Sequence, residues 1–327
     1  MGTARPRGLI GPEWGRSPCF RADARQSHGT GSAELPPGGR TPALDEVTAI
    51  IVSYNSAHCA GTLGALMRDW PHVIVVDNGS EDGTPACMRE AMPRARIVEL
   101  GENLGFGRAN NAALAWVTTP YALLVNPDCE VTAEAARALL ASMAQWPRAA
   151  VMVPQLLGRD GTPQVNYGWV RHRGGRGAKS PAAAGVTSVG NACGAVMLLR
   201  LSALPTREWF DPRFFLYYED EDLCLRLMEA GNPVLVEPAV RVKHVNRGSV
   251  RGRHPWRVEY GRGYHHARSK ILFFAKHLGP ARAACQRRLA LLGALGMLLL
   301  WVFAPSPRHV SRLWGRIVGL GSAPVRY

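Results

Sequence analysis

The chain has 327 residues, a formal net charge of +14 and 46% hydrophobic side chains. That is enough apolar material for a large packed core, and it excludes a chain disordered throughout. The seven cysteines are scattered with no Cys-x-x-Cys pair, which argues against a disulfide framework or zinc site and fits free thiols in a reducing compartment.

Residues 1–44 are rich in Gly, Pro, Arg and Ser and lack the apolar run of a signal peptide. A disordered leader and a cytoplasmic body are therefore expected. "VTAIIVSYN" (Val47–Asn55) reads as a buried strand and "CAGTLGALMRDW" as a helix. "HVIVVD" is a second strand, stopping at Asp77-Asn78-Gly79-Ser80, and "ARIVEL" (Ala95–Leu100) a third. "GFGRANNAALAWV" opens a helix after a glycine turn, and "YALLVNPD" (Tyr121–Asp128) is a fourth strand. "TAEAARALLASMAQW" is a helix with Thr132 as N-cap. Alternating strands and helices with short loops predict a parallel α/β sheet, whose ligands sit beyond the carboxyl ends of the strands.

Later segments follow a different pattern. "GRDGTPQVNYGWV" predicts a hairpin turning at Asp160-Gly161, and "RHRGGRGAKSPAAAG" a flexible basic loop suited to a lid. "VGNACGAVMLLR" ends in a strand, and "NPVLVEPAVRVKHVNRGSV" gives another that stops near His244.

Polar residues gather at the strand ends. Asn55, Asp77, Asn103 and Asp128 each stand at or just past one. Any one of them alone also reads as a cap or turn residue. Asp128 behind a rigid proline suits a divalent metal, and Asn126 a ribose or phosphate. Asp77 suits a nucleobase N–H or a ribose hydroxyl. Gly105 lets backbone approach a ligand, and Arg108 suits phosphate. There is no GxGxxG and no GxxxxGK[ST], against a dinucleotide dehydrogenase or a P-loop NTPase. In "FFLYYEDEDLCLRLMEAG" four acids, Glu219 to Asp222, follow an apolar run. Crowded carboxylates raise one another's pKa, which suits a base near neutral pH. Asp222 also fits a helix N-terminus, where the dipole favours an acid. The aromatic run reads either as a sugar-binding wall, with Tyr217 or Tyr218 stacking on the ring, or as a core strand.

Together "IIVSYN", "VVDNGSEDGT", "NLGFGRANN", "LLVNPD", "FFLYYEDEDLCLRL" and "VKHVNRGSV" resemble family 2 glycosyltransferases of the GT-A fold, most of all the bacterial rhamnosyltransferase-like branch. The resemblance spans roughly residues 47–275. It implies a Rossmann-like nucleotide-diphospho-sugar transferase fold over 45–250; residues 1–44 and the last fifty or so lie outside the resemblance, and the mixed basic and apolar pattern of 251–327 suits a C-terminal helical, membrane-associating extension. The resemblance implies inverting transfer of a sugar, rhamnose from dTDP-rhamnose, to a lipid-linked or cell-envelope glycan. Asp220, paired with Glu219, is then the general base. Ser53, Tyr54, Asn55, Asp77, Asn103, Gly105, Arg108 and Asn126 hold the donor. Asp128 and His244 hold Mg²⁺ or Mn²⁺. The fold's usual DxD is here Asn126-Pro127-Asp128, which lacks the first carboxylate. The alternatives are a UDP- or GDP-sugar donor, or a non-catalytic scaffold on the same fold. For His244 the plain alternative is a surface histidine.

The charge is local. Residues 241–327 hold 17 Lys and Arg against one acid, Glu259. Leu289–Ala304 is 16 residues without a charge, short of the roughly 20 that cross a bilayer. It suits a helix lying in an anionic membrane interface, with a domain core helix as the alternative. A peripheral place at the inner face of the cell membrane is expected. Nucleic acid is not expected as a partner, because no binding motif accompanies the basic residues.

Overall fold

The run Val47–Ser53 forms β1, and its alternation sends Ile51 into one buried cluster and Ile50 into another. A strand buried on both faces needs helices above and below it, and the following elements supply them. These are α1 (Ala60–Leu66), β2 (His72–Asp77), α2 (Thr84–Ala91), β3 (Arg96–Glu99), α3 (Phe106–Leu114) and β4 (Tyr121–Val125). A short β5 (Cys129–Glu130) precedes α4 (Ala133–Ala144), where Thr132 accepts from the Ala135 N–H at 3.2 Å as the expected N-cap. Next come β6 (Val151–Leu157), β7 (Tyr167–Gly168), β8 (Thr187–Ser188), β9 (Asn191–Ala192) and β10 (Val196–Arg200). The chain then forms α5 (Glu219–Glu229), β11 (Val234–His244), α6 (Pro255–Leu278), α7 (Pro280–Leu300) and α8 (Pro307–Ser322).

This computed structural model describes residues 42–168, 183–245, 255–300 and 306–327. Most of the expected leader, the core of the expected basic lid, and 246–254 fall outside those residues. The hairpin turn is where it was expected: Gly161 takes φ +78°, and the Gly158 N–H reaches Thr162 O at 2.8 Å.

The described strands order as β3-β2-β1-β4-β10-β6-β11-β5, with β8 also on β11, while β7 and β9 form a separate pair. β3, β2, β1 and β4 are mutually parallel. β10 runs against both β4 and β6, so β6 and its parallel neighbour β11 point the same way as β1. Six strands thus share one direction. The sheet is mostly parallel, as expected, with β10 as the reversed central strand. Apolar runs mark a strand but carry no sign of its direction. The sequence reading also passed over α2, whose buried face is only Thr84 and Met88.

The run Phe214–Tyr218 is neither a strand nor a free wall. It is a bent segment docked on α6. Phe214 packs with Leu225, Leu272 and Phe273, Phe215 stacks on His265 at 4.3 Å, and Ser269 Oγ donates to Leu216 O at 2.9 Å. Tyr217 and Tyr218 meet His266 at 5.5 and 5.4 Å. α6 in turn lies tight on α8. A Cβ on Gly315 would sit 2.1 Å from Tyr260 O, and one on Gly263 2.1 Å from Arg312 O. Only glycine permits that approach. Gly315→Val should therefore lower stability by roughly 1–3 kcal/mol, read as a drop of several degrees in Tm by calorimetry.

Candidate active site

The cleft lies at the carboxyl ends of β1, β2 and β4, where Ser53 pairs in register with Asp77. Asp77 is buried. Its Oδ2 accepts from the Ser80 N–H at 2.9 Å, while Oδ1 is buried with no hydrogen-bond partner among the described residues. A carboxylate oxygen left without a donor inside a protein is costly. It marks where a ligand N–H or O–H fits.

Several predicted residues shape the cleft from within. Ser53 is fully buried and donates to Val76 O at 3.3 Å. Asn55 takes a left-handed φ of +51°, donates its N–H to Ser80 Oγ at 2.9 Å, and accepts from the Glu81 N–H at 2.9 Å. Asn103 Oδ1 accepts from the Gly105 N–H and from Asn78 Nδ2, both at 3.0 Å. Their polar atoms hold the loops that face a donor. Gly105 has φ +86°, and a Cβ there would lie 2.0 Å from Phe215 O. The Phe106 N–H bonds that same oxygen at 3.0 Å, so the loop before α3 is clamped to the segment before α5. Arg108 is exposed in the first turns of α3 and has no hydrogen bond or ion pair among the described residues. Tyr54 and Asn126 are half-buried.

Pairing of β5 with β11 sets His244 opposite Cys129 and so brings His244 to Asp128. His244 Nε2 is 3.7 Å from Asp128 Oδ1. Gln164 fixes the ring. Its Nε2 donates to His244 O at 3.0 Å, which turns its Oε1 to His244 Nδ1 at 2.9 Å. The proton is thereby assigned to Nδ1, and the Nε2 lone pair faces the carboxylate. Burial lowers the His244 pKa against the opposing pull of Asp128, so the ring is neutral near pH 7. A lone pair facing a carboxylate calls for a cation between them. Two donors each about 2.1 Å from one small ion lie at most ~4.2 Å apart, and the observed separation fits. The Cys129 sulfur is also within 4.8 Å of both ligand atoms. Burial, then Asp128, push its thiol well above its usual range, so it is a poor ligand. The fit is to a hard divalent cation held by Asp128 and His244.

α5 begins at Glu219, three residues before the start read from sequence, so all four acids occupy its first turn. Tyr217 and Tyr218 both take φ +68° before it. The four carboxyls then meet different surroundings. Asp222 is fully buried among Lys276 (2.6 Å), His277 (2.8 Å) and Arg226 (2.8 Å). Burial pulls its pKa up, but the His277 bond and the two cations outweigh that and hold it low. Glu219 is buried, and its Oε2 has no hydrogen-bond partner among the described residues. Burial and the adjacent Asp220 push it well above the usual carboxyl range. Asp220 is partly exposed, and accepts from the N–H groups of Gly194 (3.2 Å) and Glu221 (2.9 Å). Burial raises it too, against those two bonds. Burial thus shifts both carboxyls of the pair upward, with backbone donors opposing it at Asp220. The Cys193 thiol is pushed up to about 12, by burial first and then by Asp220, with Glu219 and Asp128 adding to it. All three of those carboxyls are therefore near its sulfur.

Three contributors were missed in the sequence: Asn78, Gln164 and Gly194. Asn78 is buried, with Oδ1 accepting from the Leu104 N–H at 2.8 Å. It sat inside a motif already singled out. Gln164 carries no signal of its own, being one polar residue in a hairpin. Gly194 acts through its backbone.

A sheet of this order, an unpartnered buried carboxylate oxygen after β2, an Asp128–His244 pair after β4 and carboxyls on a facing helix are compatible with a GT-A sugar transferase. The profile described as "Glycosyl transferase family 2" matches residues 48–205. An N-acetylglucosaminyl-diphospho-decaprenol L-rhamnosyltransferase of Mycobacterium tuberculosis is 31% identical over 255 residues, covering 69% of this chain and 81% of that protein. A low-salt glycan biosynthesis hexosyltransferase of Haloferax volcanii is 26% identical, covering 56% and 62%. A mannosyltransferase from Pyrobaculum calidifontis, solved with GDP-Man and Mn²⁺, superimposes with a TM-score of 0.48 at 20% identity over 84% of this chain and 86% of that one. The chain belongs to glycosyl transferase family 2, and it is a glycosyltransferase.

Asp222 and Asp220 should separate cleanly by mutation. Asp222→Asn leaves buried cations around a neutral amide and should cost about 3–5 kcal/mol in urea denaturation. Asp220→Asn should cost little. Because the folded Asp222 carboxyl lies below its unfolded value, its stabilisation is present above about pH 4 and is lost on further acidification. The stability curve of Asp222→Asn should lack that acid-side loss.

Proposed function

We propose that this enzyme transfers a sugar, rhamnose from dTDP-rhamnose, to a lipid-linked glycan by single displacement with inversion. The observation that carries the reading is the carboxyl pair on α5: a partly exposed Asp220, held by the backbone N–H groups of Gly194 and Glu221 and backed by the buried Glu219. Asp220 takes the proton from an acceptor hydroxyl as that oxygen bonds to the anomeric carbon. The bond from that carbon to the diphosphate oxygen breaks on the opposite face. A positioned base of this kind contributes on the order of 10²–10⁴-fold. Asp77 Oδ1 receives the N–H of the base, and Arg108 meets the diphosphate. Asp128 and His244 would hold Mg²⁺ or Mn²⁺, which offsets charge on the leaving diphosphate. The similarity to an N-acetylglucosaminyl-diphospho-decaprenol L-rhamnosyltransferase supports the sugar and the lipid-linked acceptor. Such an acceptor puts the reaction at a membrane surface, on the cytoplasmic side where nucleotide sugars are made. Thymine and uracil present the same N–H to Asp77, so a UDP-sugar is the second reading.

Calorimetry with dTDP, UDP and GDP, each with Mn²⁺ and with EDTA, tests the donor. Metal-dependent binding of dTDP alone is the expected result, and preference for GDP would sink the proposal. Asp220→Asn should lose 10²–10⁴-fold in kcat with nucleotide affinity kept. The acid limb of the wild-type kcat profile should lie above the ordinary aspartate value, because burial raises Asp220. Gln164→Leu, which frees the His244 ring, should weaken Mn²⁺ binding about 10–100-fold by EPR titration, while Gln164→Glu should recover part of it.

A further inference from the structure

α7 is built inside out. The residues it turns inward are small: Ala283, Ala290 and Ala294 are buried, on one stripe at i, i+7 and i+11. Leu291 packs against that cluster, but four other leucines face out. Leu289, Leu292, Leu295 and Leu299 are 60, 66, 48 and 69% exposed. A helix that belonged to a water-facing surface would reverse this choice, since exposed leucines gain nothing in water and alanines fill little core. The outward face is also graded along its length. Arg282 and Arg288 are exposed in its first part, and the leucines follow with no charge among them.

We propose that the outward face of α7 docks in the plane of an anionic lipid leaflet. The outward leucines enter the acyl boundary, while Arg282 and Arg288 meet headgroup phosphates. Two observations favour lipid over a second copy of the chain. The face carries exposed arginines that would confront each other across a dimer. Residues 255–327, which include α6 to α8, hold 12 Lys and Arg against one acid, so two such layers repel. No helix among the described residues is long and apolar enough to cross a membrane, so the face lies on a bilayer rather than through it. α6 joins this layer to α5 through Phe214, Leu225 and Asp222, so docking also orients the catalytic helix to the leaflet. That last link rests on the transferase reading; the lipid binding does not.

The test uses the full chain with vesicles of phosphatidylcholine, with and without phosphatidylglycerol, read by co-sedimentation. Binding to the phosphatidylglycerol vesicles is expected, and at least tenfold weaker binding to phosphatidylcholine alone. Leu292→Glu with Leu299→Glu, both at exposed positions, should abolish it with Tm unchanged. Arg282→Glu with Arg288→Glu should weaken it tenfold or more. Transfer to a water-soluble acceptor analogue should be unchanged in these variants, while transfer to a vesicle-embedded acceptor falls. No sedimentation of the wild type, or sedimentation indifferent to the leucine pair, overturns the proposal. So does a wild-type dimer in ultracentrifugation that the leucine pair dissolves. Vesicle binding in a chain that transfers no sugar would support docking and refute the reaction instead.

Discussion

Asp222 has no exposed surface, yet it sits one helical step from solvent-facing chemistry. Burying a carboxylate is tolerable only where cations and donors surround it. Here Arg226 comes from its own helix, while Lys276 and His277 come from α6. Lys276 also binds the buried Asp211 at 2.6 Å, and Tyr327 closes on the same carboxylate. The ion cluster thus welds α5 to the C-terminal helices. Asp220 is two residues before Asp222, so whatever fixes Asp222 fixes Asp220. The consecutive left-handed tyrosines belong to the same constraint. Non-glycine residues resist that conformation, and the contacts of Tyr217 and Tyr218 with α6 hold them in it.

Four like charges in one helical turn are tolerated because the fold gives each its own surroundings. The helix N-terminus favours them collectively. Beyond that, cations hold the Asp222 carboxyl low, burial pushes Glu219 up, and two backbone donors hold Asp220 at the edge of the cleft. Residues with one chemistry acquire three roles from position alone. The apolar run before them serves the docking of α6, which answers why such a run precedes an acidic turn in a basic protein.

Two other placements follow from long-range pairing. His244 reaches Asp128 because β11 carries on far enough to pair with β5. Gly105 transmits the position of Phe215 to the donor loop, since no side chain could fit between them. Loop, base helix and C-terminal layer are therefore one mechanical unit. An α7 with alanines inward and leucines outward sits at the far end of that chain of contacts.

The sequence by itself determined the strands β1, β2, β3 and β4, the capped helix α4, the turn at Gly161, and the presence of Asp77, Asp128, Asp220 and His244 at element ends. These are local facts: periodicity, turn chemistry and capping act within a few residues. Only the tertiary structure decided the reversed direction of β10, which no local pattern encodes. It also decided that Ser53 turns its hydroxyl to β2 and Asn103 its amide to the neighbouring loops, and that Gln164 holds His244. Likewise it set the different fates of Glu219, Asp220 and Asp222, because burial and charge pairing depend on what other elements bring. The uncharged run of α7 was visible in sequence, but which face it turns to solvent was not. That choice was made by the alanines that fit against its neighbouring helices.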